Sequence, residues 1–176
     1  MMNNHNWYEI NNVEAVISPS LVVYPKRIEA NIKLMIQIAG GTDSLRPHIK
    51  THKIAEIINM QLNHGIRKFK CATIAEAELL AKCGAQDILL AMQPIGVNIE
   101  RFFELIEQYP NSSLSTIVDN EESIIKINSA ALKKELVISL WLDINNGMNR
   151  TGIIPNNEAV LIYQKIELSS NLVAKG

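Results

Sequence analysis

Short apolar runs alternate along this chain with stretches whose apolar residues recur every three or four positions. These are the signatures of buried strands and of amphipathic helices. Residues 21–24 (LVVY) form a first apolar run, stopped by Pro25. Over residues 27–39 the set Ile28, Ile32, Met35, Ile36 and Ala39 keeps helical spacing, and Gly40-Gly41 supplies the stop. Residues 45–50 read as a strand, 53–64 as a helix ended by Gly65, and 68–72 (KFKCA) as the next strand. Thr73 and Glu76 make a capping box at the start of a helix that closes at Gly84. DILLAM (87–92) is a strand, and 98–109 a helix with Ile99, Phe102, Phe103 and Ile106 on one side. Residues 114–118 form a strand, after which Asp119 or Asn120 caps a helix reaching about Glu135. A strand over 136–144, a helix over 156–168 and a strand starting at 172 complete the pattern.

Strands starting near residues 44, 68, 87, 113, 136 and 172, each separated from the next by a helix, predict parallel strands joined by helical crossovers. Runs such as ILLAM and VISLWL are apolar throughout, as expected when both faces of a sheet are covered. Two closures satisfy this pattern, an open doubly wound sheet or a barrel. A complete (β/α)8 barrel takes about 250 residues, so we expect an α/β fold: the incomplete N-terminal portion of a TIM-type barrel, with five to six βα units. One domain spanning residues 1–176 is expected, and a complete six-stranded open sheet is the alternative.

Composition narrows the function classes. The 176 residues carry 17 Lys+Arg against 18 Asp+Glu, so no broad electrostatic footprint for nucleic acid or an anionic membrane is present. With 47% apolar and 20% charged residues, a packed core is expected. No run of about 18 apolar residues predicts a membrane-spanning helix, and MMNNHNWYEI lacks the pattern of a signal peptide. Cys71 and Cys83 make neither a disulfide framework nor a zinc spacing and read as small core residues. A cytoplasmic protein is the natural expectation.

The densest polar cluster is RPHIKTHK, residues 46–53. On a strand, Arg46, His48 and Lys50 would share the inner face at the C-terminal end, where α/β sheets and barrels place their sites. A lysine buried among other cations yields its free amine more readily and can attack a carbonyl, as a Schiff-base lysine must. The plain alternative is a solvated basic turn, and Pro47 favours it because proline cannot donate to a central ladder. His48 and His52 are four apart, but a strand-to-helix junction separates them, so no metal site is read there. His5 and His64 read as surface residues, and Glu76, Glu78 and Asp87 as cap and surface charges. DINNGMNRTG (143–152) follows the strand VISLWLDI and offers one arginine, Arg150, in a Gly/Asn loop suited to an anionic oxygen. An ordinary turn with an exposed arginine is the alternative. No GxGxxG, GxxxxGK[ST] or GxSxG motif is present, so no dinucleotide, nucleoside triphosphate or serine-hydrolase loop is indicated.

Taken together, RPHIKTHK, KCATIAEAELL (70–80) and DINNGMNRTG resemble the D-threonine aldolase and D-serine dehydratase-like family, whose N-terminal barrel is like that of alanine racemase. The third motif is shared more broadly with alanine racemases. The resemblance implies a pyridoxal 5′-phosphate (PLP) enzyme in which Lys50 forms the internal aldimine. By the same resemblance Arg150 hydrogen-bonds the phenolic oxygen of the cofactor, and Gln93 takes a position beside its ring. It also implies a lyase acting on D-β-hydroxy amino acids, with a small-molecule substrate and neither nucleic acid nor membrane as partner. Homodimerisation is implied by analogy alone. Relatives often add a divalent metal (manganese or zinc) whose ligands come from a C-terminal β-domain not found in these residues. An amino-acid racemase and a non-catalytic PLP-binding carrier remain as alternatives.

Overall fold

The computed structural model describes residues 6–176. Helices and strands alternate from residue 25 onward: α1 (Pro25–Ile38), α2 (Ala55–Asn63), β1 (Lys68–Cys71), α3 (Ile74–Lys82), β2 (Asp87–Leu90), α4 (Val97–Gln108), β3 (Ser113–Val118), α5 (Glu121–Lys133), β4 (Ile138–Leu142), α6 (Asn157–Leu168) and β5 (Leu172–Ala174). Local chemistry sets the ends. Proline opens α1, where its missing N–H costs nothing. Gly40, at φ +71°, turns the chain out so that the Gly41 N–H donates to the Ile36 carbonyl at 3.0 Å. The Thr73 hydroxyl accepts the Glu76 N–H at 3.1 Å, as the capping box requires. The Glu76 carboxylate reaches back to the Ala72 N–H at 2.8 Å, one residue before the cap. Asn120, not Asp119, caps α5 by accepting the Ser123 N–H at 2.9 Å. No helix among the described residues is long and apolar enough to cross a membrane.

The five strands are parallel and lie in sequence order, β1-β2-β3-β4-β5. A doubly wound sheet reverses direction partway along its strand order, and this sheet does not. Right-handed crossovers that always step the same way put every helix on one face, as in a barrel. Phe69 and Cys71, Ile88 and Leu90, Leu114 and Val118, and Ile138 and Leu140 are accordingly buried. The other face carries Lys68 and Lys70, Asp87 and Leu89, Ser115 and Ile117, and Ser139 and Trp141, aligned by the strand register. That face is concave. Arg46, beside β1, holds its guanidinium 5.8 Å from the centre of the Trp141 ring on β4. Flat strands about 4.8 Å apart would separate residues at those places by roughly 19 Å. The fold is therefore an α/β parallel sheet curled as part of a TIM-like barrel.

Two sequence expectations change. Residues 21–24 are extended but pair with no strand, and Leu21, Val22 and Val23 are exposed. Residues 45–50 do not form a strand. They contribute a single bridge, His48 to Lys70, flanked by the Lys70 N–H donating to the Pro47 carbonyl at 2.8 Å. Pro47 has no N–H to extend the ladder, and a one-turn 3-10 helix (Ile49–Thr51) begins at once. His5 lies outside the described residues.

The core lies between the helices and the convex face of the sheet. Phe102 and Phe103 are fully buried, their rings edge-to-face at 6.2 Å. Replacing Phe103 by alanine is expected to cost about 3–5 kcal/mol in chemical denaturation. A loss below about 1 kcal/mol would mean that α4 does not anchor the core.

Candidate active site

The C-terminal ends of the strands form a rim built from three segments: the turn after residue 48, the end of β2 and the loop after β4. In the first, the His48 Nδ1 accepts the Lys50 backbone N–H at 3.2 Å and caps the short helix. The His52 and Lys53 N–H groups then close on the Ile49 carbonyl at 3.1 and 2.9 Å. Ile49 is buried beneath the turn, and Lys50 points outward and is exposed. Its ammonium group has no hydrogen-bond or ion-pair partner among the described residues. Among the described residues Lys50 is thus exposed, where the sequence reading expected it on the inner face of a strand.

The basic cluster divides by task rather than sharing one face. Arg46 turns down into the concave face and grips Asp87 with two hydrogen bonds, 2.6 and 2.8 Å. Asp87 is thus half of a bidentate pair and not a surface charge. Lys53, at φ +53°, places its ammonium 3.2 Å from the Glu76 carboxylate, which is only 4% exposed. Glu76 is the cap residue the sequence predicts, and it is also buried behind the Lys50 turn, where Lys53 reaches it. Glu78 does stay on the surface, paired with Lys82. The half-buried Lys70 ammonium finds no partner among the described residues.

Burial, helped by the Lys50 and Lys70 charges and opposed by Glu76, holds the His48 imidazole below the ordinary histidine value. Burial alone does the same for His52, whose Nδ1 accepts the Ile54 N–H at 3.1 Å. Both rings are used as neutral acceptors within the turn. His64 is half-buried and joins two helices: its Nδ1 lies 2.8 Å from the Met60 carbonyl of α2 and its Nε2 3.6 Å from Glu29 of α1. Cys71 is a core residue whose thiol burial pushes up to about 12, so no reactive thiolate is offered there.

Gln93 lies at the end of β2, but its Oε1 accepts the Asp119 N–H at 3.1 Å and ties β2 to β3. Only the amide nitrogen of Gln93 is left for a ligand. The Asp119 carboxylate in turn accepts the Gly152 N–H at 3.2 Å, so Gln93, Asp119 and the loop after β4 form one relay along the rim. Sequence reasoning missed Asp119. The signal was the adjacent pair Asp119-Asn120, of which only one residue can cap α5. In the loop, Asn145 Oδ1 accepts the Gly147 and Asn149 N–H groups at 3.1 and 3.0 Å, and Asn149 sits at φ +53°. Arg150 is exposed at the tip, and its guanidinium has no partner among the described residues. A depression of about 340 Å³ opens on the same rim beside Thr73, Met92, Gln93 and Arg101. Neither Lys50 nor Arg150 lines it.

A parallel sheet curled in sequence order defines part of a barrel, the class of fold whose sites lie at the C-terminal ends of the strands. Residues 23–176 match the family described as alanine racemase, N-terminal domain, and the chain belongs to that family. It is 31% identical over 140 residues to the D-threonine aldolase of Arthrobacter sp, covering 78% of this chain and 36% of that protein. The 3-hydroxy-D-aspartate aldolase of Paracoccus denitrificans (strain Pd 1222) is 26% identical over 164 residues, 90% of this chain and 41% of the relative. The crystal structure of D-threonine aldolase from Filomicrobium marinum superposes with a TM-score of 0.82 at 26% identity. That match covers 92% of this chain and 43% of that one. The chain thus spans about two-fifths of the length of these relatives.

Gly152 is the tightest point of the loop. It sits at φ +90°, and a Cβ there would lie 2.7 Å from the Asn145 nitrogen and 2.8 Å from the Ile144 carbonyl carbon. Gly152→Ala is expected to destabilise the chain by more than about 1 kcal/mol. It should also raise amide exchange at Asn145 and Ile153, whose N–H groups close the loop at 2.9 Å each. Unchanged exchange at both would show that the loop tolerates the extra carbon.

Proposed function

We propose that this chain binds pyridoxal 5′-phosphate through Lys50 and belongs to a lyase acting on D-β-hydroxy amino acids, of the D-threonine aldolase or D-serine dehydratase type. The observation that carries the reading is the pair of unpartnered cations, Lys50 and Arg150, on the rim of a barrel whose relatives include D-threonine aldolase and 3-hydroxy-D-aspartate aldolase. The donor set fits the cofactor. A primary amine is what an aldehyde requires, and a guanidinium suits the anionic oxygen of its ring. Once bound, the cofactor supplies an electron sink for bond breaking next to the substrate's amino group.

This chain's own residues supply position and charge. Lys50 Nζ is the point of attachment, presented by a turn that leaves it no competing partner. Arg150 holds the ring oxygen from a loop braced by Asn145 and Asp119. Gln93 offers only its amide N–H groups, since its oxygen is already engaged. No group of three or more His, Cys, Asp or Glu gathers among the described residues. An amino-acid racemase is the second reading, favoured by the match to the alanine racemase N-terminal domain.

The test is to incubate the chain with PLP, reduce it with borohydride and map the modified peptide. A single adduct on Lys50, lost in Lys50→Ala and weakened about tenfold in Arg150→Met, is the expected result; the factor assumes a charge-assisted hydrogen bond worth about 1.5 kcal/mol. Labelling scattered over surface lysines would defeat the reading. D-Threonine then separates the alternatives: an aldolase yields glycine and acetaldehyde, a dehydratase 2-oxobutanoate and ammonia, and a racemase only the epimer at Cα.

A further inference from the structure

The Lys50 turn depends on a ring that must keep an unshared electron pair. His48 caps it through Nδ1, which accepts the Lys50 N–H at 3.2 Å. An imidazole with Nδ1 protonated cannot accept, so the geometry requires the neutral tautomer with its proton on Nε2. The backbone closes the turn from its far end, where the His52 and Lys53 N–H groups reach the Ile49 carbonyl, and ties its near end only lightly. Its bridge to β1 is one residue pair long, because Pro47 ends the ladder.

We propose that His48 is a positioning residue: as a neutral hydrogen-bond acceptor it holds the turn that presents Lys50, and protonating it releases that turn. The inference rests on the proposed role of Lys50 and extends it. The charged groups around the ring are Lys50 on the turn itself, Lys70 on β1 and Glu76 on α3. Two cations against one anion favour the neutral ring, and Glu76 is already engaged by Lys53 and the Ala72 N–H. Burial acts in the same direction. A histidine whose folded-state value is depressed contributes stability that is present above the ordinary histidine value and lost as pH falls through the depressed one. Release of the turn therefore belongs to the acid side of neutrality. Protonation would add a third positive charge between Lys50 and Lys70 as well as removing the cap.

Three readouts on the full chain test this. Long-range nitrogen-15 correlation spectra at neutral pH should show His48 as the Nε2–H tautomer, and an Nδ1–H tautomer overturns the proposal. Amide exchange at Lys50 should rise about fivefold in His48→Ala, the size of one net hydrogen bond, and stay near wild type in His48→Asn. Asparagine keeps an acceptor oxygen at a cap position but does not titrate. Lowering the pH should reduce the protection of the Lys50 amide, taken against its intrinsic exchange rate at each pH, in the wild type and not in His48→Asn. Equal exchange in the wild type and His48→Ala, or the same pH profile in His48→Asn, overturns the proposal. PLP trapping at Lys50 should slow in His48→Ala and recover in His48→Asn. An adduct missing from the wild type too would sink the cofactor reading, and the exchange data alone would then decide whether His48 holds the turn.

Discussion

The bidentate pair between Arg46 and Asp87 is the interaction on which the concave face of this sheet is organised. A parallel sheet that curls must fill its inner face, and the first layer here is polar. Arg46 grips Asp87 at 2.6 and 2.8 Å and reaches the Trp141 ring, while the Trp141 indole donates to the Ser115 hydroxyl at 3.2 Å. The layer thus links the segment before β1 to β2, β3 and β4. Both partners of the ion pair are partly shielded from water, 21% and 36% exposed, so the pair is worth more than an exposed one and breaking it strands a charge. Lysine could not replace Arg46 here, because a single ammonium cannot make the two parallel contacts.

Above that layer, side chains bonding to backbone brace each segment of the rim. The Lys50 turn is capped by an imidazole, the β2 and β3 ends are joined by an amide oxygen, and the Arg150 loop is wrapped around Asn145. Regular structure could not do this work. A strand continued through residue 50 would spend its N–H and C=O groups on a ladder and alternate its side chains between faces. A tight turn instead projects one chosen side chain, leaving Lys50 without a partner while Ile49, its neighbour, is buried.

The periodic parts of the fold were legible in the sequence because one local rule governs each. The spacing of Ile99, Phe102 and Phe103 gave α4, the Thr73–Glu76 box gave the start of α3, and the sequential β/α alternation gave the parallel strands, while their curl was one of two closures it allowed. The illegible parts are those in which a distant residue decides. Nothing near Asp87 announces that Arg46, 41 positions earlier, will pair with it. Nothing near Asp119 announces that Gly152, 33 positions later, will donate to it. The strand expected over 45–50 is different in kind. Its apolar alternation was real, but Pro47 removed a ladder donor and His48 offered the next N–H a closer acceptor, so two local effects overrode the pattern. Lys50 was legible as a candidate from the cations crowded at the C-terminal end of an expected strand, and Arg150 as the single arginine of a Gly/Asn loop.

The same accounting of charge separates the paired cations of the rim from the unpaired ones. Of the cations in and next to the basic cluster, Arg46 is neutralised by Asp87 and Lys53 by Glu76, and Lys68 donates to the Asp43 carbonyl at 2.9 Å. His48 is held neutral by its surroundings. Lys50 and Lys70 are left, joined by Arg150 from the opposite side of the sheet order. Two carboxylates of this rim are engaged: Glu76 by Lys53 and the Ala72 N–H, Asp119 by Gly152 and Asn120. Among the described residues, Lys50, Lys70 and Arg150 have no ion-pair partner at the C-terminal ends of the strands. Such unpaired cations lower the energy of any phosphate, phenolate or carboxylate brought there, and they do so before a single specific contact is made.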